Sequence, residues 1–143
     1  MEKNVTPVVV RDRLMELDKP VLDLLGLGLP EISEESAIGT MTVRPDMVNS
    51  HGYCHGGLIY TLADHAFAYA CSAQNRMGVT TSGQILYVRA AKLGDELTAV
   101  AKLLNLTHRT GSGEVEVRNQ HGELIAKFQG TWYRMSAEIV ESQ

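Results

Sequence analysis

The chain has 143 residues, a formal net charge of −4 and a pI near 5.7, enough for one domain with a sizeable core and too short for two. Its 13 Lys and Arg residues are scattered rather than striped, which disfavours a nucleic-acid partner. Two cysteines, Cys54 and Cys71, without a CxxC pair or an apolar leader after Met1, point to reduced thiols in a cytoplasmic protein, and no apolar run reaches the ~20 residues of a membrane span.

Residues 8–17 mix charged and apolar residues at helical spacing and predict a short helix ending near Pro20. Residues 21–33 are apolar but broken by Gly and Pro, and read as an irregular segment covering one edge of the fold. Residues 37–44 have strand composition and stop at Pro45-Asp46.

A polar, Gly-rich run follows, with Asn49, His51, His55, Gly56 and Gly57, and leads into apolar residues 58–73. At helical spacing Leu58, Leu62, Ala66, Tyr69 and Ala70 line one face, and Tyr60, Asp64, Phe67 and Cys71 the adjacent one. Asp64 is the only acidic residue of the segment, with no Lys or Arg beside it. An unpaired buried carboxylate is costly, so Asp64 reads as a functional group rather than a structural one held by Thr61. Gly56 and Gly57 allow close backbone approach, and the first helical turn leaves amides free, at the positive end of the helix dipole, for an oxyanion or a polarised carbonyl.

After Asn75-Arg76-Met77-Gly78 come four strand-like stretches, 79–89, 96–107, 113–119 and 124–135, separated by the turns AAKLGD, HRTGS and QHGE. They predict an antiparallel meander. With the strand at 37–44 this makes an α+β fold, a five-stranded antiparallel sheet wrapped around one long central helix, in a single domain whose residues 1–36 supply the short helix and covering segment.

His51, Cys54, His55 and His65 invite a metal reading, but His51 and His55 flank a loop and no second ligand pair follows downstream, so no metal is expected. Cys54 and His55 as nucleophile and base are adjacent in a turn, where side chains seldom face each other.

The pattern N-x-H-x-x-C-H-G-G at Asn49 to Gly57, followed by L-A-D-x-A-x-A-Y-A at Leu62 to Ala70, resembles the hotdog-fold acyl-CoA thioesterases, in particular the phenylacetic-acid-degradation branch. The resemblance runs from about Ala37 to the last strand. It implies hydrolysis of an aryl-acetyl or medium-chain acyl-CoA to the free acid and coenzyme A, with no cofactor because coenzyme A is part of the substrate. It makes the Gly56 N–H the donor to the thioester carbonyl and Asn49 a second polarising or positioning group. Asp64 becomes the general base or the nucleophile, Ser82 a holder of the attacking water, and His55 an orienting residue. Arg89, Lys92 and Arg109, at strand ends, suit the coenzyme A phosphates. The chain departs from the family pattern at Arg89-Ala90-Ala91, where many relatives place a proline after the arginine.

Asp64 lies eight residues beyond Gly56, ~12 Å along one helix, whereas attack needs the reacting atoms within about 3–3.5 Å. A two-fold homodimer with antiparallel central helices pairs Gly56 of one subunit with Asp64 of the other, and the resemblance implies this assembly, often doubled to a tetramer. Two rival functions use the same fold: an enoyl-CoA hydratase or dehydratase, whose His and acid motifs are missing here, and a non-catalytic acyl-CoA binding module.

Overall fold

Thr6 opens the first helix in the computed structural model, which describes residues 5–141. Its Oγ1 accepts from Val9 N at 3.3 Å, and Pro7 occupies the first turn of α1, Pro7–Leu17, where a missing N–H costs nothing. A second short helix, α2, Lys19–Leu25, uses Pro20 in the same way and ends on Gly26 at φ 65°, the left-handed stop that glycine favours. Strands β1, Gly28–Ile32, and β2, Ser36–Thr42, follow, then a 3-10 turn at Pro45–Met47. The long helix α3 spans Gly56–Ser72, and the chain closes with β3, Gly78–Tyr87, β4, Glu96–Leu106, β5, Thr110–Arg118, and β6, Leu124–Arg134.

All six strands form one antiparallel sheet in the order β1-β2-β4-β5-β6-β3. Two expectations change. Residues 21–33 hold a helix and a sixth strand rather than an irregular segment; β1 contains Pro30, which a sheet tolerates at its edge because no ladder N–H is required there. The four C-terminal strands are not a simple meander, since only β4, β5 and β6 run as successive hairpins while β3 pairs with β6 at the far edge. Alternation reports which residues share a face but not which strand lies next door.

The sheet wraps α3. The helix buries Ile59, Leu62, Ala63, Ala66, Phe67, Tyr69, Ala70 and Cys71, the full-width apolar surface expected of a helix enclosed by a sheet. Its seat is a row of three glycines in register across neighbouring strands, Gly83 on β3, Gly130 on β6 and Gly113 on β5. A Cβ would come within 2.9 Å of Phe67 at Gly113, within 2.8 Å of both Phe67 and Phe128 at Gly130, and against Tyr60 Oη at Gly83. The missing side chains are therefore a furrow that receives three aromatic rings, packed together with Phe67–Phe128 centroids 5.7 Å apart and Tyr60–Phe128 5.3 Å. Any substituent there overfills a close-packed core.

At its far end Asn75, at φ 70°, follows α3 and clips the C-terminal tail by a reciprocal pair, Nδ2 donating to Val140 O at 2.8 Å and Oδ1 accepting from Val140 N at 2.9 Å. Among the described residues no helix is long and apolar enough to cross a membrane.

Candidate active site

The loop before α3 is built by Asn49. Its Oδ1 accepts from the amides of His51 at 2.9 Å and Tyr53 at 3.2 Å, while the backbone pairs Asn49 N with Tyr53 O at 2.8 Å. Asn49 is thus the frame of the loop, with its Nδ2 donors left without a partner among the described residues. The loop docks through Cys54 N on Ala91 O and His55 N on Met47 O, both 2.9 Å. His55 stands at the N-cap with no side-chain cap bond, its imidazole exposed like that of His51.

Leu58 and Ile59 are the first amides of α3 to find an acceptor, both on His55 O. The N–H groups of Gly56 and Gly57 have none among the described residues, so two donors stand free at the positive end of a 17-residue helix. Neither glycine has a positive φ. Gly56 is demanded instead by Tyr87, whose Cζ and Oη would each lie 2.9 Å from a Cβ there, and whose hydroxyl donates to Gly56 O at 2.6 Å. Burial, with Tyr60 and Cys54 close by, pushes the Tyr87 phenol above its ordinary value, so it stays a donor.

Two turns on, Asp64 is half-buried and accepts from Thr80 Oγ1 at 2.8 Å through Oδ1. Its Oδ2 takes no hydrogen bond from the described residues, and no Lys or Arg among them pairs with it. Thr61, the structural partner considered for Asp64, bonds Gly57 O instead, at 2.9 Å.

One face of α3 therefore meets β3 three times in antiparallel order: Gly56 with Tyr87, Tyr60 with Gly83, and Asp64 with Thr80. Positions 87, 85 and 83 share a face of a regular strand, but position 80 would fall on the other. A bulge between Thr80 and Ser82 inserts the extra residue that turns Thr80 inward. The same bulge sends Thr81 and Ser82 outward, where both hydroxyls lie 2.7 Å from Thr131 Oγ1. Ser82 lines a shallow groove of about 460 Å³ on the outer face of the sheet, with Gln84, Ser112, Gln129 and Thr131. The subunit thus brings Asn49, His55 and Gly56 together at the helix start and Asp64 farther along it, and leaves Ser82 across the sheet from Asp64. Thr80 and Tyr87 are the neighbours the sequence reading missed.

The three basic candidates are also separated. Arg89 and Lys92 lie at the helix-start end, Arg89 in a surface pair with Glu123 at 3.2 Å and Lys92 beside Tyr53. Arg109 sits at the opposite end of the sheet, where its carbonyl accepts from Arg134 N at 2.7 Å.

His65 faces away from Asp64's partner strand, toward the junction of α1 and α2. Its Nε2 is buried without a hydrogen bond, 3.7 Å from an Asp18 oxygen that accepts from Tyr69 Oη at 2.9 Å. Burial holds the imidazole below its ordinary value despite the pull of Asp18 and Asp64, so it is neutral at pH 7 and the contact is not an ion pair.

Comparison with known proteins places the fold in a family. Residues 51–126, which contain most of the loop, α3 and β3 to β5, match the family model described as the thioesterase superfamily. The acyl-coenzyme A thioesterase PaaI of Escherichia coli is 38% identical over 115 residues, covering 80% of this chain and 82% of the relative. The solved structure of the E. coli PaaI protein, from the phenylacetic acid degradation operon, superposes with a TM-score of 0.86 at 33% identity, covering 90% of this chain and 95% of that one. A Streptococcus mutans protein solved bound to acetyl-CoA superposes with a TM-score of 0.75 at 26% identity, covering 78% and 90%. A long helix held in a wrapped antiparallel sheet is the hotdog fold of these acyl-CoA thioester hydrolases, and this chain belongs to the thioesterase superfamily.

Proposed function

We propose that the protein hydrolyses an aryl-acetyl or medium-chain acyl-CoA in the cytoplasm, through active sites shared between two subunits. The observation that carries this reading is the pair of amides at Gly56 and Gly57, on the same helix as Asp64, which like the second Asp64 oxygen have no partner among the described residues. The thioester carbonyl sits on the Gly56 N–H, framed by the loop that Asn49 and His55 hold. Asp64 of the partner subunit takes a proton from water as the water oxygen bonds to the carbonyl carbon. The carbonyl electron pair moves onto oxygen, where the amide and the helix dipole stabilise it. Collapse restores the C=O, breaks the C–S bond, and the proton held by Asp64 passes to the departing thiolate, giving the acid and free coenzyme A. Thr80 holds the carboxylate in line, while Ser82, expected to hold the attacking water, bonds Thr131 instead. Arg89 and Lys92 beside the helix start, with the partner's Arg109, supply positive charge for the coenzyme A phosphates.

Two further observations support the shared site. Gly56 and Asp64 are ~12 Å apart along the helix, and β3 is a ten-residue edge strand with Val79, Leu86 and Tyr87 exposed, the kind of unpaired apolar edge that invites a second strand. A copy paired antiparallel along β3 continues the sheet and sets the two α3 helices antiparallel, and such dimers pair again into tetramers. The test is a panel of aromatic, short and medium acyl-CoAs with free-thiol detection. Turnover highest on phenylacetyl-CoA or a medium chain is expected; turnover restricted to short acyl groups would reject the proposed substrate class.

A further inference from the structure

The first turn of α3 is unusually poor in means of its own to stay in place. It begins Gly-Gly, the residue type with the greatest backbone freedom, and its N-cap His55 contributes no side-chain bond, the device that ordinarily secures a helix start. Such a turn frays readily, yet it carries the two free amides. Among the described residues one side chain from outside the loop and α3 bonds it: Tyr87, the last residue of β3, with its 2.6 Å bond to Gly56 O and its ring against the Gly56 Cα.

We infer that Tyr87 is a positioning residue for the thioesterase reaction, a clamp that substitutes for the missing cap and aims the first-turn amides at the substrate carbonyl. The peptide plane that bears Gly56 O bears the Gly57 N–H at its other end, so a bond on the oxygen fixes the direction of that donor. The same plane ends on the Gly56 Cα, which the ring presses from the side, and through it the clamp fixes the neighbouring plane that bears the Gly56 N–H. The ring is not filling the core of the chain: Tyr87 is 47% exposed there, on the edge along which a second copy is proposed to pair. The clamp also explains why position 56 is glycine when its φ is ordinary. A methyl group there meets the far end of the ring at 2.9 Å. At its other end β3 holds Asp64 through Thr80, so one edge strand fixes both groups on which the chemistry depends.

The inference rests on the reading of Gly56 as carbonyl donor, and the experiment separates the two. Tyr87→Phe keeps the ring and removes one neutral hydrogen bond, so kcat on the best acyl-CoA is expected to fall roughly 3–10-fold with KM within about twofold. Amide hydrogen exchange over residues 55–60 is expected to speed up while the melting temperature stays near that of the parent. In a double-mutant cycle, Gly56→Ala is expected to be severe beside Tyr87. It should be mild in the Tyr87→Leu background, because Leu lacks the ring atoms that the new methyl meets. A Tyr87→Phe protein with parental kcat, or with a change confined to KM, would overturn the clamp, as would equal losses from Gly56→Ala in both backgrounds. Faster exchange at residues 55–60 with undiminished kcat would overturn the donor reading, and the catalytic role of the clamp with it. A parent protein active on acyl-CoA with neither change would reject the clamp alone.

Discussion

Asp64 accepts from Thr80 through one carboxylate oxygen and keeps the other unengaged among the described residues, the division of labour that a general base needs if it is to be held and still accept a proton. On the proposed mechanism Asp64→Asn preserves size and the Thr80 contact while removing the base, and turnover is expected to fall ~10²–10⁴-fold with acyl-CoA binding largely retained. Turnover within about threefold of the parent would remove Asp64 from that role. Thr80→Val should cost more than Ser82→Ala when both are compared by kcat/KM, because only the first loses a bond to the carboxylate. The reverse order would return the water-holding role to Ser82. The sequence made Asp64 legible because an acid without a cation stands out in an apolar helix, and Gly56 because two glycines open that helix. The place of Ser82, given a site role by the family resemblance, was not legible, because simple alternation cannot reveal a bulge within Thr80-Thr81-Ser82, three similar hydroxyl residues in a row. The opposite face, with Gly83, Ile85 and Tyr87, is the one that meets α3, through Tyr60 at Gly83 and Gly56 at Tyr87.

Among the elements, α1 and α2 meet α3 at a polar junction made of Asp18, His65 and Tyr69. The His65 imidazole is held below its ordinary value by burial, against the opposing influence of Asp18 and Asp64. A folded state that resists protonation is favoured fully above the unfolded value of about 6.5 and loses that contribution as pH falls through 6.5 toward the lower folded value. Denaturant unfolding at pH 7.5 and 5.5 is therefore expected to show a loss of stability at the lower pH that shrinks in His65→Gln; an unchanged difference would place the sensitivity elsewhere. The main helix and the strands were readable from their periodicity and from the turn residues between them. Strand β1 was not, because Gly28 and Pro30 break its pattern and only Leu29 within it is buried. The place of β3 was not readable either, since pairing with β6 rather than β4 depends on where the chain returns after α3, which no local pattern records. Helix α2 hid behind Pro20, a residue that ends one helix and begins the next.

At the scale of the assembly, the shared-site proposal makes a quantitative demand. Asn49→Ala and Asp64→Ala, each nearly inactive alone, are expected to complement when unfolded together and refolded as a mixture. Random pairing makes about half the dimers mixed, each with one intact site of two, giving about a quarter of parental activity. A mixture no more active than its components, with subunit exchange verified by mass, would reject the shared site; because Asn49 frames its loop, each single variant must first be seen to dimerise. The glycine furrow bears on how such a subunit comes to exist at all. Phe67 lies midway along the chain, but its seat lies on β5 and β6, which follow α3 in sequence. Until they arrive α3 can pack on β2 and β4 but Phe67 has no seat, and its contacts with β5 and β6, being distant in sequence, form slowly once they can. A truncation that removes only β6 takes away Gly130 and the strand that pairs β3, so Phe67 loses part of its seat and β3 its place in the sheet.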